Sequence, residues 1–101
     1  MSEVAPEFDA VHPSGHVLFR SSRGGYLHST ALSEGTRGAD AGELAAAVLL
    51  AAEVSHLRAV MQIRREIIDA GFSPSAGLAT PAELHRAEAE LSRHRLTGDD
   101  A

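Results

Sequence analysis

The sequence predicts an α+β fold in which a three-stranded antiparallel meander precedes one long helix and a short C-terminal helix. Three observations lead to this prediction. Strand-favouring residues fill positions 7–32 and are divided by turns at Pro13-Ser14-Gly15 and Arg23-Gly24-Gly25. A stretch rich in Ala and Leu and free of Pro then covers residues 40–70. A Thr-Pro-Ala-Glu start signal at Thr80 opens the last helix.

The three predicted strands cover about residues 7–12, 16–22 and 25–32. Successive side chains of a strand point to opposite faces, so Val17 and Phe19 share a face that the core can bury. The glycines between the second and third strands supply the positive φ that a tight hairpin turn needs. The sequence does not decide which face of the third strand is turned toward the core.

The long helix is predicted over about residues 40–70. Asp40 followed by Glu43 is typical of a helix start, because the aspartate oxygen accepts from a first-turn N–H. Gly71 fits the left-handed residue that ends many helices. The second half of the helix is amphipathic, whereas the stretch from Leu44 to Val54 is apolar nearly all round.

The short helix is predicted over about residues 80–95. Thr80 is the expected cap, Pro81 takes the first helical position and Glu83 the third, which is the capping-box pattern. Residues 7–96 form a single predicted domain, and the small or acidic residues 1–6 and 97–101 are predicted to be disordered tails.

Composition excludes several classes of protein. With 44% hydrophobic but only 4% aromatic residues, the core of this 101-residue chain must be aliphatic and thin. The absence of Cys removes disulfides, thiol catalysis and cysteine-ligated metals. No signal peptide and no apolar run of about 20 residues are evident, which predicts a cytoplasmic protein without a membrane partner.

The dimensions of the predicted elements indicate a dimer. A helix over residues 40–70 would be about 46 Å long, whereas a strand of six or seven residues covers only about 20 Å. A second copy would cover the rest of the apolar helix, and two-fold dimers are the commonest assembly. The predicted interface residues are Leu50, Val54, Leu57, Val60, Met61, Ile67 and Ile68. Alternatively, the helix over 80–95 folds back and covers the same stripe within one chain.

Neither a catalytic site nor a metal site emerges from the sequence. His12 and His16 are four residues apart, but Pro13 and Gly15 between them prevent a shared helical face. We expect the histidines to be surface or interfacial residues, and we expect no cofactor. A Ser/His/Asp set can be drawn from Ser29, His28 and Asp40, yet no nucleophile-elbow pattern supports it. The sequence therefore predicts a protein that is not an enzyme.

Nucleic acid is the alternative partner class. The net charge of −5 argues against DNA binding by bulk electrostatics. Residues 15–39 nevertheless carry a local positive excess from Arg20, Arg23 and Arg37, which are the candidate nucleic-acid contacts. Alternatively, the same three arginines lie on a solvent-exposed edge of the hairpin and bind no nucleic acid.

The order of these elements resembles a known group of proteins. The stretches that carry the resemblance are Phe8 to Gly15, Val17 to Phe19, Gly25 to Leu32, Glu43-Leu44-Ala45 through Val54, and Thr80-Pro81-Ala82-Glu83 with Ala87-Glu88-Ala89-Glu90. This pattern resembles the YbaB/EbfC-like small dimeric proteins, and within them most closely the mycobacterial type VII (ESX) secretion-associated proteins of the EspD/EspH kind. The resemblance implies an actinobacterial α+β dimer without catalytic residues. It further implies either DNA binding or the escort of secretion partners.

Together these observations predict a non-enzymatic homodimer that acts as a protein-interaction or chaperone-like module. The resemblance implies that this module is secretion-associated. The alternative is a nucleoid-associated DNA-binding protein of the YbaB/EbfC type. A third arrangement is a heterodimer in which a related chain supplies the partner helix.

Overall fold

The computed structural model describes residues 6–25 and 28–96. Three strands, β1 (Ala10–Val11), β2 (Val17–Ser21) and β3 (His28–Leu32), form one antiparallel sheet in the order β1-β2-β3. Two helices follow, α1 (Ala41–Asp69) and α2 (Pro81–Arg93). The predicted α+β class and order of elements are confirmed.

The boundaries differ most at the first strand. A single 3-10 turn over Pro6–Phe8 replaces the start of the predicted strand, so β1 has only two residues. The other elements begin and end close to the predicted positions, apart from the start of β3, because residues 26 and 27 lie outside the described part. Apart from Pro6, the predicted tails 1–6 and 97–101 also lie outside it.

The sheet uses one face for the core. In β2, the buried residues Val17, Phe19 and Ser21 alternate with half-buried Leu18 and Arg20, as a strand with one covered face requires. Helix α1 lies across β1 and β2. All five side chains of β3 are exposed, so the helix leaves this edge strand uncovered on both faces.

Local signals explain where α1 begins and ends. The Asp40 carboxylate accepts from the backbone N–H of Glu43 at 3.0 Å, as predicted for the cap. At the other end Gly71 has φ +92°, and its N–H donates to the carbonyl of Ile68. The N–H of Phe72 donates to the carbonyl of Ile67, which completes a Schellman motif.

Helix α2 folds back antiparallel onto α1. Its N-terminus carries the predicted capping box, in which Thr80 and Glu83 satisfy each other's backbone N–H groups. Arg58 of α1 holds Glu88 of α2 with an N–O distance of 3.0 Å. Nearer the start of α2, Arg64 donates to the carbonyl of Ala79. The alternative in which the C-terminal helix covers α1 within one chain is therefore realised for the middle of α1.

The core is thin and mostly aliphatic, as the composition predicts. It comprises Ala10, Val17, Phe19, Ala47, Ala51, Val54, Leu57, Ala87, Leu91 and Leu96. The molecule measures 51 × 33 × 16 Å with a radius of gyration of 14.9 Å, against about 13 Å for a compact chain of this length. At about 1.5 Å per residue α1 alone is about 43 Å long, which accounts for the elongated shape.

Helix α1 is also long and apolar enough to cross a membrane by length and composition, contrary to the expectation from the sequence. One third of its most apolar window is buried inside the fold. The core helix of a globular protein satisfies the same criterion, so this property alone assigns no membrane role.

Candidate interaction surface

The chain itself covers the first three of the seven predicted interface residues. Val54 is fully buried and Leu57 is 8% exposed, both in the core that α1 shares with the sheet and α2. Leu50 is half-buried against the same core. Within one chain, the core therefore covers Val54 and Leu57 and part of Leu50, and a seam with a partner at these three positions stays a prediction.

The other four predicted residues lie in the second half of α1. Val60, Met61 and Ile67 are half-buried, and Ile68 is 53% exposed. Ile68 lies beyond the point where Arg64 contacts the start of the α2 segment, so α2 covers it incompletely. These residues remain candidates for contact with a partner.

Phe72 is the residue that sequence reasoning missed at this end of the molecule. It follows the Gly71 helix stop and is 70% exposed, the most exposed of the large hydrophobic side chains in the described part of the chain. The sequence places it in a linker, where an aromatic residue has no periodicity to reveal a role. Its position directly after a helix-ending glycine was the available signal.

A groove runs between this end of α1 and the first turn of α2. Its volume is about 560 Å³, and it is lined by Met61, Arg64, Arg65, Ile68, Asp69, Pro81 and Leu84. A smaller depression of about 300 Å³ shares Met61, Arg65 and Leu84 with it and extends to Phe8. The lining combines apolar side chains with charges of both signs, as the surfaces that bind proteins often do.

Ion pairs already engage several charges near this groove. Arg23 contacts Glu66 at 2.6 Å, and Gln62 donates to the same carboxylate. The hydrogen bonds from Gln62 and then from Arg23 lower the pKa of Glu66. Within residues 6–25 and 28–96, the side chains of Arg65 and Asp69 have no hydrogen-bonding or ionic partner. These two opposite charges on the groove are thus available to a partner.

Two further large apolar side chains are exposed away from this groove. Leu49 is 69% exposed on the solvent side of the helix, and Leu32 is 49% exposed on uncovered β3. Only Leu49 belongs to the stretch from Leu44 to Val54 that the sequence marked as apolar nearly all round. Large apolar side chains are therefore exposed both in the first third of α1 and just after its last turn.

The candidate nucleic-acid contacts are largely engaged within the chain. Arg20 donates two hydrogen bonds of 2.8 and 2.6 Å to the Asp9 carboxylate, and this hydrogen bonding raises the pKa of Arg20. Arg23 is paired with Glu66, and Arg37 is exposed in the loop before α1. The fold thus offsets two of the three positive charges with carboxylates.

Two of the histidines, His12 and His94, contact each other in the folded chain. His12 is 1% exposed, contrary to its prediction as a surface or interfacial residue, and its Nε2 lies 2.9 Å from Nδ1 of His94. Its Nδ1 accepts from the backbone N–H of Ser14, so the pair ties the β1–β2 loop to the end of α2. In the part of the chain that the structure describes, no three His, Cys, Asp or Glu side chains could hold a metal ion.

The hypothetical Ser/His/Asp set is not assembled for catalysis. His28 stacks on Phe19, with ring centroids 5.2 Å apart, while the Asp40 carboxylate caps α1. Both side chains therefore have structural contacts.

Comparison with known proteins places the chain in a family. Residues 1–97 match the family described as "Protein of unknown function (DUF2694)". Relatives include "Uncharacterized protein Mb0029" of Mycobacterium bovis and "Uncharacterized protein Rv0028" of Mycobacterium tuberculosis; each is 50% identical over 96 residues, covering 95% of both chains. No solved structure gives a significant match. With nearly the whole chain matched, this protein belongs to the DUF2694 family.

Proposed function

We propose that the chain is a non-enzymatic, homodimeric protein-interaction module with a chaperone-like role. One observation carries the proposal: large apolar side chains are exposed in the first third of α1 and just after its last turn, Leu49 at 69% and Phe72 at 70%. Exposed apolar patches on small proteins mark contacts with other proteins. The groove beside Ile68 adds a concave apolar surface near the end of α1.

The nature of the partner follows from the available groups. Apolar side chains and mixed charges favour a protein, whereas nucleic acid would require free cations. Arg20 and Arg23 already have carboxylate partners and the net charge is −5, so the DNA-binding alternative has less support. A secretion-associated client, such as a type VII (ESX) component, is proposed on the resemblance of the sequence to YbaB/EbfC-like and EspD/EspH-like proteins. A cytoplasmic location is part of the same proposal.

Light scattering across a dilution series tests the proposal. We expect a mass twice the 10.6 kDa of the chain, unchanged when duplex DNA is added at low salt. A mass of one chain at every concentration would refute the homodimer. A DNA complex that dissociates as salt rises and that weakens on Arg20→Ala would instead establish the alternative.

A separate measurement tests the proposed chaperone-like role. The protein should slow the aggregation of insulin whose disulfides have been reduced, because exposed apolar surface binds unfolded chains. Equal aggregation with and without the protein would limit its function to defined partners.

A further inference from the structure

We propose that the groove between α1 and α2 receives Phe72 of a second copy of this chain, so that two copies exchange this side chain around a two-fold axis. The inference rests on the homodimer of the proposed function and names the surface that forms it. Three observations carry it: the groove, an exposed aromatic side chain close to it in sequence, and a pair of opposite charges without partners among the residues that the structure describes.

The groove needs an apolar occupant. Ile68 is 53% exposed at its floor, alongside Met61, Leu84 and Pro81. Its volume of about 560 Å³ lies within the range of about 300–1,000 Å³ for sites that bind small molecules or side chains. An aromatic side chain buries about 150–250 Å² on entering such a site.

Phe72 is placed to supply that occupant to another copy. The Schellman motif fixes the backbone at Gly71 and Phe72, so the exposed side chain sits on a defined end of α1. Anchors of this kind contribute most when they are rigid and aromatic, because less conformational entropy is lost on binding.

A two-fold axis can bring Phe72 of each copy to the groove of the other. When two α1 helices pair antiparallel with the axis at the level of Ile67, each position faces the one equally far on the other side of 67. Phe72, which follows the end of α1 by three residues, then lies near the level of Gln62 on the second copy. Met61 and Arg65, which line the groove, flank that level.

The same register pairs the two unpartnered charges. Arg65 and Asp69 are each two residues from Ile67, so Arg65 of one copy faces Asp69 of the other, and the contact occurs twice. Both residues line the groove and lack partners within residues 6–25 and 28–96. This self-complementary charge pattern favours a second copy over an unrelated protein.

The first test compares two almost equally exposed side chains, Phe72 just after α1 and Leu49 in its first third. Phe72→Ser should raise the dimer dissociation constant by more than about tenfold, as truncation of an aromatic anchor does. Leu49→Ser, the matched control, should leave it unchanged. Light scattering gives the masses, and circular dichroism checks that both variants keep their helices.

The second test uses charge complementation between chains. Arg65→Asp and Asp69→Arg should each weaken dimerisation of the pure variant, because like charges then face each other twice. An equimolar mixture of the two variants should dimerise again, since opposite charges meet at both contacts. Repair within one helix cannot produce this recovery, because neither chain carries both substitutions.

The outcomes separate this inference from the proposed function. A dimer that survives Phe72→Ser, that dissociates on Leu49→Ser instead, or whose charge variants do not recover on mixing, overturns the inference and leaves the homodimer standing. A wild-type monomer at all concentrations overturns both. Loss of the dimer in Phe72→Ser with recovery in the mixed charge variants supports the exchange.

Discussion

At the scale of single residues, the contact between Ser21 and Ser55 shows how a polar pair is tolerated in a thin core. The two hydroxyl oxygens lie 2.6 Å apart between β2 and α1, with Ser55 fully buried and Ser21 2% exposed. Each hydroxyl satisfies the other, so burial leaves neither of them without a partner. No local sequence pattern predicts this pair, because the two serines are 34 residues apart.

We predict that Ser55→Ala lowers the free energy of unfolding by about 1–3 kcal/mol, because it leaves the Ser21 hydroxyl buried without a partner. The double variant Ser21→Ala/Ser55→Ala should be more stable than the sum of the two single changes implies. Urea denaturation measures all three, with exposed Ser75→Ala as the control. Strictly additive losses would contradict the coupling.

At the scale of secondary-structure elements, the helix ends behave as local sequence motifs. The cap of α1 at Asp40, the glycine stop at Gly71 and the capping box of α2 all occur where the sequence predicts them. Each motif satisfies backbone groups within a few residues, so local sequence is sufficient to define it. The short first strand is the counter-example, because pairing partners in a sheet are distant in sequence.

The capping box of α2 provides the prediction at this scale. Thr80→Ala should reduce the free energy of unfolding by about 1 kcal/mol, since the first-turn N–H of Glu83 loses its side-chain acceptor and keeps only the carbonyl of Thr80. Glu83→Ala should cost a comparable amount, and the two losses should overlap in the double variant because each side chain serves the same cap. Chemical denaturation measures these values. A stability equal to that of wild type in both single variants would show that α2 holds its first turn without the cap.

At the scale of the whole molecule, α2 decides which parts of α1 are core and which remain surface. Leu57 is buried beneath it, whereas Ile68 lies at the groove and is 53% exposed. Two residues with the same predicted role in a partner interface therefore have different roles in the folded chain.

This difference predicts opposite outcomes for the same chemical change. Leu57→Asp should unfold the protein, because an unpaired charge in the core costs more than about 4 kcal/mol, a large share of the stability of a small domain. Ile68→Asp should keep the helical circular dichroism signal of wild type and weaken only self-association. A folded monomer on Leu57→Asp would show that this residue contacts a partner after all.

The sequence by itself determined the α+β class, the order of the five main elements and the ends of both helices. These features follow from side-chain periodicity and from hydrogen bonds between neighbours along the chain. Only the tertiary structure decided which face of α1 is covered, that Arg20 and Arg23 pair with Asp9 and Glu66, and that Phe72 is exposed beside a groove. Each of these depends on residues that are far apart in sequence, and α2 could reach its place on α1 only through packing that no local pattern encodes.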